Sequence, residues 1–155
     1  MLHNERHRIA DKFGSWRAFS LEIKMKNKVF ALDGNKFETL EGFYDEVERV
    51  LTKDLDWKIG RNLDAFNDVL YGGFGAFECE EPIDIVWKHS TKSKSDLGYP
   101  ETIKWLERKL KQCHPSSIPS VKEELARANK DEGQTLFDII IEIAKEHEHI
   151  NLTLE

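Results

Sequence analysis

The sequence contains no long apolar run. A helix that spans a bilayer needs roughly 20 consecutive apolar residues, and no stretch of this 155-residue chain approaches that composition. The first eleven residues are rich in His, Arg and Glu, where a secretory signal would carry an apolar segment. We therefore expect a cytoplasmic protein that does not insert into a membrane.

Cysteine is nearly absent, and so are the signatures of common enzymes. Cys79 and Cys113 are the two cysteines, and their separation matches neither a disulfide framework nor a zinc knuckle. The chain also has no nucleophile elbow, phosphate-binding loop or dinucleotide-binding glycine pattern. We expect free thiols, no metal or other cofactor, and no catalytic activity.

Positive charge is scarce in the part of the chain where negative charge is concentrated. The net charge is −6, and residues 38–84 hold 13 acidic side chains against four basic ones, a local balance of −9. Because phosphate backbones are bound mainly by Lys and Arg, this balance disfavours direct nucleic-acid binding. It favours a cationic partner, whose approach such a field accelerates, although a solvated acidic surface without a partner has the same composition.

The length suits a single domain with a substantial core. Residues 1–28 are interpreted as an N-terminal extension, in which alternating apolar residues at 19–25 predict a short strand. Residues from about 90 to 133 are interpreted as a helical insertion. The sequence does not indicate the oligomeric state.

Hydrophobic spacing predicts an α/β fold with a small, three-stranded, largely parallel sheet packed by helices. Period-two or continuous apolar patterns predict strands at 29–32, 83–87 and 149–154. Spacings of three and four residues predict helices at 40–51 after Thr39, from Asn62 to 70, around 103–110, at 121–129 and from 136 after Thr135. The polar stretch after residue 88 is expected to be an exposed connection.

The most informative segment is residues 60–68, GRNLDAFND. If Asn62 caps a helix, Asp64 lies in the first turn, where the helix dipole favours a carboxylate. Asp68 then lies one turn further on the same face, opposite the apolar side chains. This spacing predicts two carboxylates that are presented to solvent or to a partner.

The run 57–70 resembles the toxin-binding segment of the barstar family, intracellular inhibitors of secreted ribonucleases such as barnase. The resemblance extends over residues 29–88 and 134–155, whose predicted strands and helices follow the order of the family. It implies the three-stranded parallel fold. It also implies an immunity protein that occludes the active site of a barnase-like ribonuclease toxin through an acidic helix face.

The resemblance assigns roles to individual residues. Asp68 matches the family's principal acidic residue, which is expected to enter the toxin's phosphate pocket, and Asp64 matches its second helix aspartate. Glu142, counted back from the last strand, matches a glutamate of the last helix. The expected partner-binding residues are Trp57, Lys58, Gly60, Asn62, Asp64, Asn67, Asp68 and Glu142.

The segment also departs from the family pattern. Lys58 and Ile59 replace an aromatic pair, the aromatic is displaced to Trp57, and Asn67 replaces a larger aromatic between the aspartates. These changes indicate a different toxin. Trp57 is interpreted either as an apolar anchor for the partner or as a core residue.

Three alternatives remain from the sequence. The first is an enzyme that uses Asp64, Asp68 and Glu142 as general acid and base, although nothing supplies the rest of an active site. The second is a metal site, considered below. The third, which is the main alternative, is a regulatory or scaffolding module that keeps the fold but binds a different partner.

Histidine pairs are the candidates for metal binding. His147 and His149 are two residues apart, and His3 and His7 are at helical spacing. Residues two apart point to different sides of a helix, and no four-ligand spacing follows. We therefore expect His147 and His149 to be solvated residues at a helix end.

Overall fold

The computed structural model describes residues 26–155, which form three strands and six α-helices. The predicted strand at residues 19–25 lies outside the described residues. The strands are β1 (Lys28–Asp33), β2 (Ile83–Lys88) and β3 (Ile150–Leu154), and the helices are α1 (Leu40–Leu51), α2 (Leu63–Tyr71), α3 (Ser90–Asp96), α4 (Tyr99–Gln112), α5 (Ile118–Ala128) and α6 (Leu136–Lys145). Two short 3-10 turns, Gly34–Lys36 and Pro115–Ser117, follow β1 and α4.

The sheet is fully parallel, with the spatial order β1-β2-β3. Ile83 pairs with Lys28 on one side and with Ile150 on the other. Parallel neighbours need crossover connections, and helices supply them here. The predicted α/β class and three-stranded parallel sheet are therefore confirmed.

The helices of the first crossover begin where the sequence predicts. The hydroxyl of Thr39 accepts a hydrogen bond from the N–H of Gly42 and caps α1. The buried side of α1 includes Phe43, whose ring stacks on Trp87 of β2 with centroids 5.5 Å apart. Fully burying an apolar side chain of this size contributes about 1.5–3 kcal/mol, so this face holds α1 against the sheet.

Helix α6 has a reciprocal cap at its N-terminus. Thr135 accepts a hydrogen bond from the N–H of Asp138, and the Asp138 carboxylate accepts one from the N–H of Thr135. The helix buries an apolar stripe comprising Leu136, Phe137, Ile140, Ile141 and Ala144. Its predicted start and its extensive burial are both confirmed.

The prediction of an exposed connection after β2 is wrong, because residues 90–96 form helix α3. Ser93 of this helix is fully buried and accepts a hydrogen bond from the indole N–H of Trp87 at 2.9 Å. Lys92 donates to the backbone carbonyls of Gly34 and Phe37. These polar side chains have tertiary partners, which a composition-based interpretation of a Ser- and Lys-rich stretch does not reveal.

Helix α4 is fastened to two other helices by buried polar groups. Glu101, 8% exposed, accepts a hydrogen bond from the N–H of Leu40, the first residue of α1, at 3.0 Å. Thr102 accepts one from the N–H of Leu136, the first residue of α6, at 2.9 Å. The first N–H groups of a helix lack partners within the helix, so α4 satisfies one at each of two helix starts. Helix α4 thus helps to position the starts of α1 and α6.

Candidate functional site

The outward side of helix α2 carries two carboxylates and an aromatic ring. Asp64, Asp68 and Tyr71 are exposed, whereas Phe66, Val69 and Leu70 on the opposite side are buried in the core. Residues four apart lie about 40° apart around a helix, so the two carboxylates share one stripe. We call the surface formed by Asp64, Asp68 and Tyr71 the acidic face.

Neither aspartate of the acidic face has a hydrogen bond or an ion pair with another residue in the described part of the chain. This contrasts with the neighbouring Arg61, whose guanidinium lies 2.7 Å from Asp45 and 3.5 Å from Glu48 of α1. The arginine is thus neutralised by α1. It leaves the two carboxylates available to an external cation.

A tight loop fixes the start of α2. The side-chain oxygen of Asn62 accepts a hydrogen bond from the N–H of Ala65 at 2.7 Å, which confirms it as the cap. At Gly60, an added Cβ would lie 2.9 Å from Nδ2 of the Asn62 side chain. A side chain at position 60 would press on the capping side chain of Asn62, so Gly60 and Asn62 act on the acidic face by positioning α2.

The loop before α2 presents an exposed tryptophan. Trp57 is 55% exposed, and its ring meets the edge of Phe74, with centroids 6.3 Å apart. Phe74 belongs to the glycine-rich loop that follows α2, where Gly72 has φ +91° and so requires a residue without a Cβ. Lys58 is exposed, whereas Ile59 is buried in the core. Trp57 is therefore a surface aromatic and not a core residue.

A histidine from the end of α6 reaches the edge of the acidic face. His147, 6% exposed, donates from Nε2 to the side-chain oxygen of Asn67 at 2.8 Å, and its ring packs edge-on against Tyr71 at 4.6 Å. His149 donates to the carbonyl of Leu70. The prediction of solvated histidines is wrong, because both rings bind α2.

The environment of His147 disfavours its charged form. Burial lowers the pKa of His147, and the neighbouring His149 adds to this effect, while Glu146 opposes it. A neutral imidazole at Nε2 is the form that donates to Asn67 without a buried charge. The amide of Asn67 is consequently held in one orientation beside Asp68.

Within the described residues, the hydrogen bond of Glu142 does not involve the acidic face. It is exposed on α6, where its carboxylate accepts a hydrogen bond from the amide of Gln134 at 2.7 Å. It borders a shallow hollow of about 430 Å³ together with Asp138, Lys145 and Leu154.

No group of three or more His, Cys, Asp or Glu side chains within residues 26–155 is arranged to hold a metal ion. None of the helices in this part of the chain is long and apolar enough to cross a membrane. Cys79 and Cys113 are both free.

Three residues at the site were not predicted from the sequence: Tyr71, Phe74 and His147. Tyr71 could have been found, because it is three residues after Asp68 and so belongs to the same helical stripe. Phe74 stands in a glycine-rich loop whose path no pattern specifies. His147 is 80 residues from Asn67 in sequence, and only the folded chain brings the two together.

The structure thus combines a three-stranded parallel α/β fold with a capped helix that presents two unpaired carboxylates. The sequence matches the family model described as Barstar (barnase inhibitor) over residues 27–115. The chain belongs to the barstar family, an inhibitor family whose described target is barnase. The match includes α4, while α6 and β3 lie beyond it. A search of curated proteins by sequence similarity found no match.

Proposed function

We propose that this chain is a cytoplasmic immunity protein that inhibits a barnase-like ribonuclease toxin by covering its active site with the acidic face. The observation that carries the proposal is the pair of exposed, unpaired carboxylates on a capped helix, Asp64 and Asp68. A ribonuclease must bind phosphate with cationic side chains. A carboxylate that enters such a pocket accepts the same hydrogen bonds as the phosphate does.

Asp68 is the carboxylate assigned to the phosphate pocket, and Asp64 is assigned to its rim. Helix α2 is held from both ends, by the Asn62 cap and by the bond from His149 to the Leu70 carbonyl. Preorganisation of this kind lowers the entropy lost on binding. Trp57 supplies an exposed apolar anchor beside the charges, a composition typical of binding hot spots.

The surrounding charge supports fast association. The −9 balance of residues 38–84 places the acidic face in a negative field, and such fields raise association rates for cationic partners at low salt. Glu142 of α6 supplies a further exposed carboxylate for the toxin in this proposal. Lys58, exposed in the loop before α2, and Asn67, next to Asp68 in sequence, are assigned to distinguish between toxins.

The test is a titration of the purified protein into barnase and into the ribonuclease encoded nearest to its gene, with RNA cleavage followed at two salt concentrations. We expect stoichiometric inhibition of at least one enzyme, with an association rate that falls as salt rises. No inhibition of either ribonuclease would contradict the proposal. It would favour a regulatory or scaffolding module with the same fold.

A further inference from the structure

A groove of about 590 Å³ opens beside the acidic face. One wall is formed by the starts of α1 and α2, with Glu41 and Asp64, and the other by α4, with Trp105, Arg108 and Lys109. Asp64 belongs to the groove and to the acidic face at once. The two surfaces are therefore continuous.

The two walls carry opposite charge. Arg61 also lines the first wall, but Asp45 binds its guanidinium at 2.7 Å, which leaves the carboxylates of Glu41 and Asp64 as the open charges there. On the second wall, Arg108 is exposed and has no ion pair within the described chain. Lys109 lies over the ring of Trp105, 4.9 Å from its centroid. The groove thus has one acidic wall and one basic wall.

The basic wall is fixed to the same framework as the acidic one. The Glu101 carboxylate binds the first N–H of α1, and the Thr102 hydroxyl binds the first N–H of α6. Arg108 and Lys109 follow on the same helix, two turns further along. A partner that docks on α2 therefore meets this wall in a defined position, without a loop to order first.

We propose that the groove receives an acidic segment of the ribonuclease, next to the cationic site that the acidic face covers, and that Arg108 pairs with a carboxylate of that segment. This inference rests on the proposed function. A partner that is cationic throughout would be repelled by Arg108 and Lys109, since like charges across an interface cost several kcal/mol. The groove fits a toxin with a carboxylate beside its phosphate pocket. Helix α4 then helps to determine which toxin is bound.

The test compares Arg108→Glu with Lys122→Glu in binding to barnase and to the ribonuclease encoded nearest to the gene. Lys122 is exposed on α5, in the same segment of the chain but outside the groove, and the charge change is identical. Both variants make the inhibitor more negative, so long-range steering toward a cationic enzyme should raise both association rates. A direct contact of Arg108 should appear in the dissociation rate instead.

We expect Arg108→Glu to dissociate about tenfold faster or more, and Lys122→Glu to dissociate like the wild type. Equal dissociation rates for the two variants, with binding still lost in Asp68→Ala, would refute the proposal that the groove binds the toxin. The proposed function would remain intact. If the wild type binds neither ribonuclease, the proposed function and this inference fail together. Binding of a single-stranded RNA oligonucleotide that is abolished by Arg108→Glu, with toxin binding unchanged, would also overturn it.

Discussion

Glu46 and Glu101 are buried, whereas Asp64 and Asp68 are exposed, and the two pairs have opposite hydrogen-bonding environments. Glu46 accepts bonds from the N–H of Asp33 and from two nitrogens of Arg49, and Glu101 accepts one from the first N–H of α1. The exposed aspartates have no partner within residues 26–155. Carboxylates that stabilise this fold are already paired, so the unpaired ones are where an external cation can bind.

The largest predicted effect is a loss of toxin binding without a loss of stability. Asp68→Ala is expected to weaken the toxin complex by about 2–5 kcal/mol, because toxin cations would be left buried without a partner. Its free energy of unfolding should stay within about 0.5 kcal/mol of the wild type, as for other exposed positions. Calorimetric titration and urea denaturation measure the two quantities. Unchanged affinity would refute the assignment of Asp68.

The reverse result is expected for a buried carboxylate. Glu101→Ala should lower the free energy of unfolding by about 1–3 kcal/mol, because the buried N–H of Leu40 loses its acceptor. Glu101→Gln, which keeps an acceptor oxygen, should cost less. The matched control is Glu107→Ala, an exposed position on the same helix. Equal urea midpoints for Glu101→Ala and Glu107→Ala would contradict the role of Glu101.

A buried polar group without a partner provides the third case. The hydroxyl of Tyr44 is buried and has no hydrogen-bond partner within the described residues, and burial raises the pKa of Tyr44 above its usual range. Tyr44→Phe should therefore raise the free energy of unfolding by about 1 kcal/mol. Tyr71→Phe, whose ring is 49% exposed, should leave stability unchanged. A loss of stability in Tyr44→Phe, measured by thermal denaturation, would show that the hydroxyl is satisfied.

The smallest effect concerns the histidine that joins the core to the acidic face. Because the pKa of His147 is lower in the folded chain than the unfolded value of about 6.5, the unfolded state binds the proton more readily. Stability should therefore be complete above pH 6.5 and decline as the pH falls from there to the lowered pKa. Urea denaturation between pH 7.5 and pH 5 measures this slope.

His147→Gln should remove part of that pH dependence, whereas His114→Gln should not. His114 is exposed, beside the 3-10 turn that follows α4. An unchanged slope in His147→Gln would show that the buried histidine takes no part in the coupling of protons to folding.

The regular elements of the fold could be predicted because their signals are local. Thr39, Asn62 and Thr135 cap the helices that the sequence places after them, and the apolar spacing of each helix gives its buried side. Segment 90–96 was missed because its side chains are polar, and their burial depends on residues elsewhere, such as Trp87 for Ser93. Local patterns report on neighbours in sequence and not on partners across the fold.

For the candidate site too, the sequence predicted what depends on local spacing and did not predict what depends on tertiary contacts. Asp64 and Asp68 were predicted to face away from the core, and they do, since their helical phase relative to Phe66 and Leu70 decides it. The sequence does not decide between burial and exposure for Trp57, because an aromatic suits a core and an interface equally well. Its place at the surface depends on Phe74 and on the glycine-rich loop.

The sequence by itself determined the helix caps and the outward direction of the two aspartates, because each depends on residues within one or two helical turns. It also determined the parallel α/β class, because strands that alternate with helical crossovers usually pair in parallel. Only the tertiary structure decided that Arg61 is neutralised by α1, that His147 binds Asn67, and that α4 lines a groove beside Asp64. Those arrangements join residues that are distant in sequence. Their geometry is fixed by core packing, which no local pattern encodes.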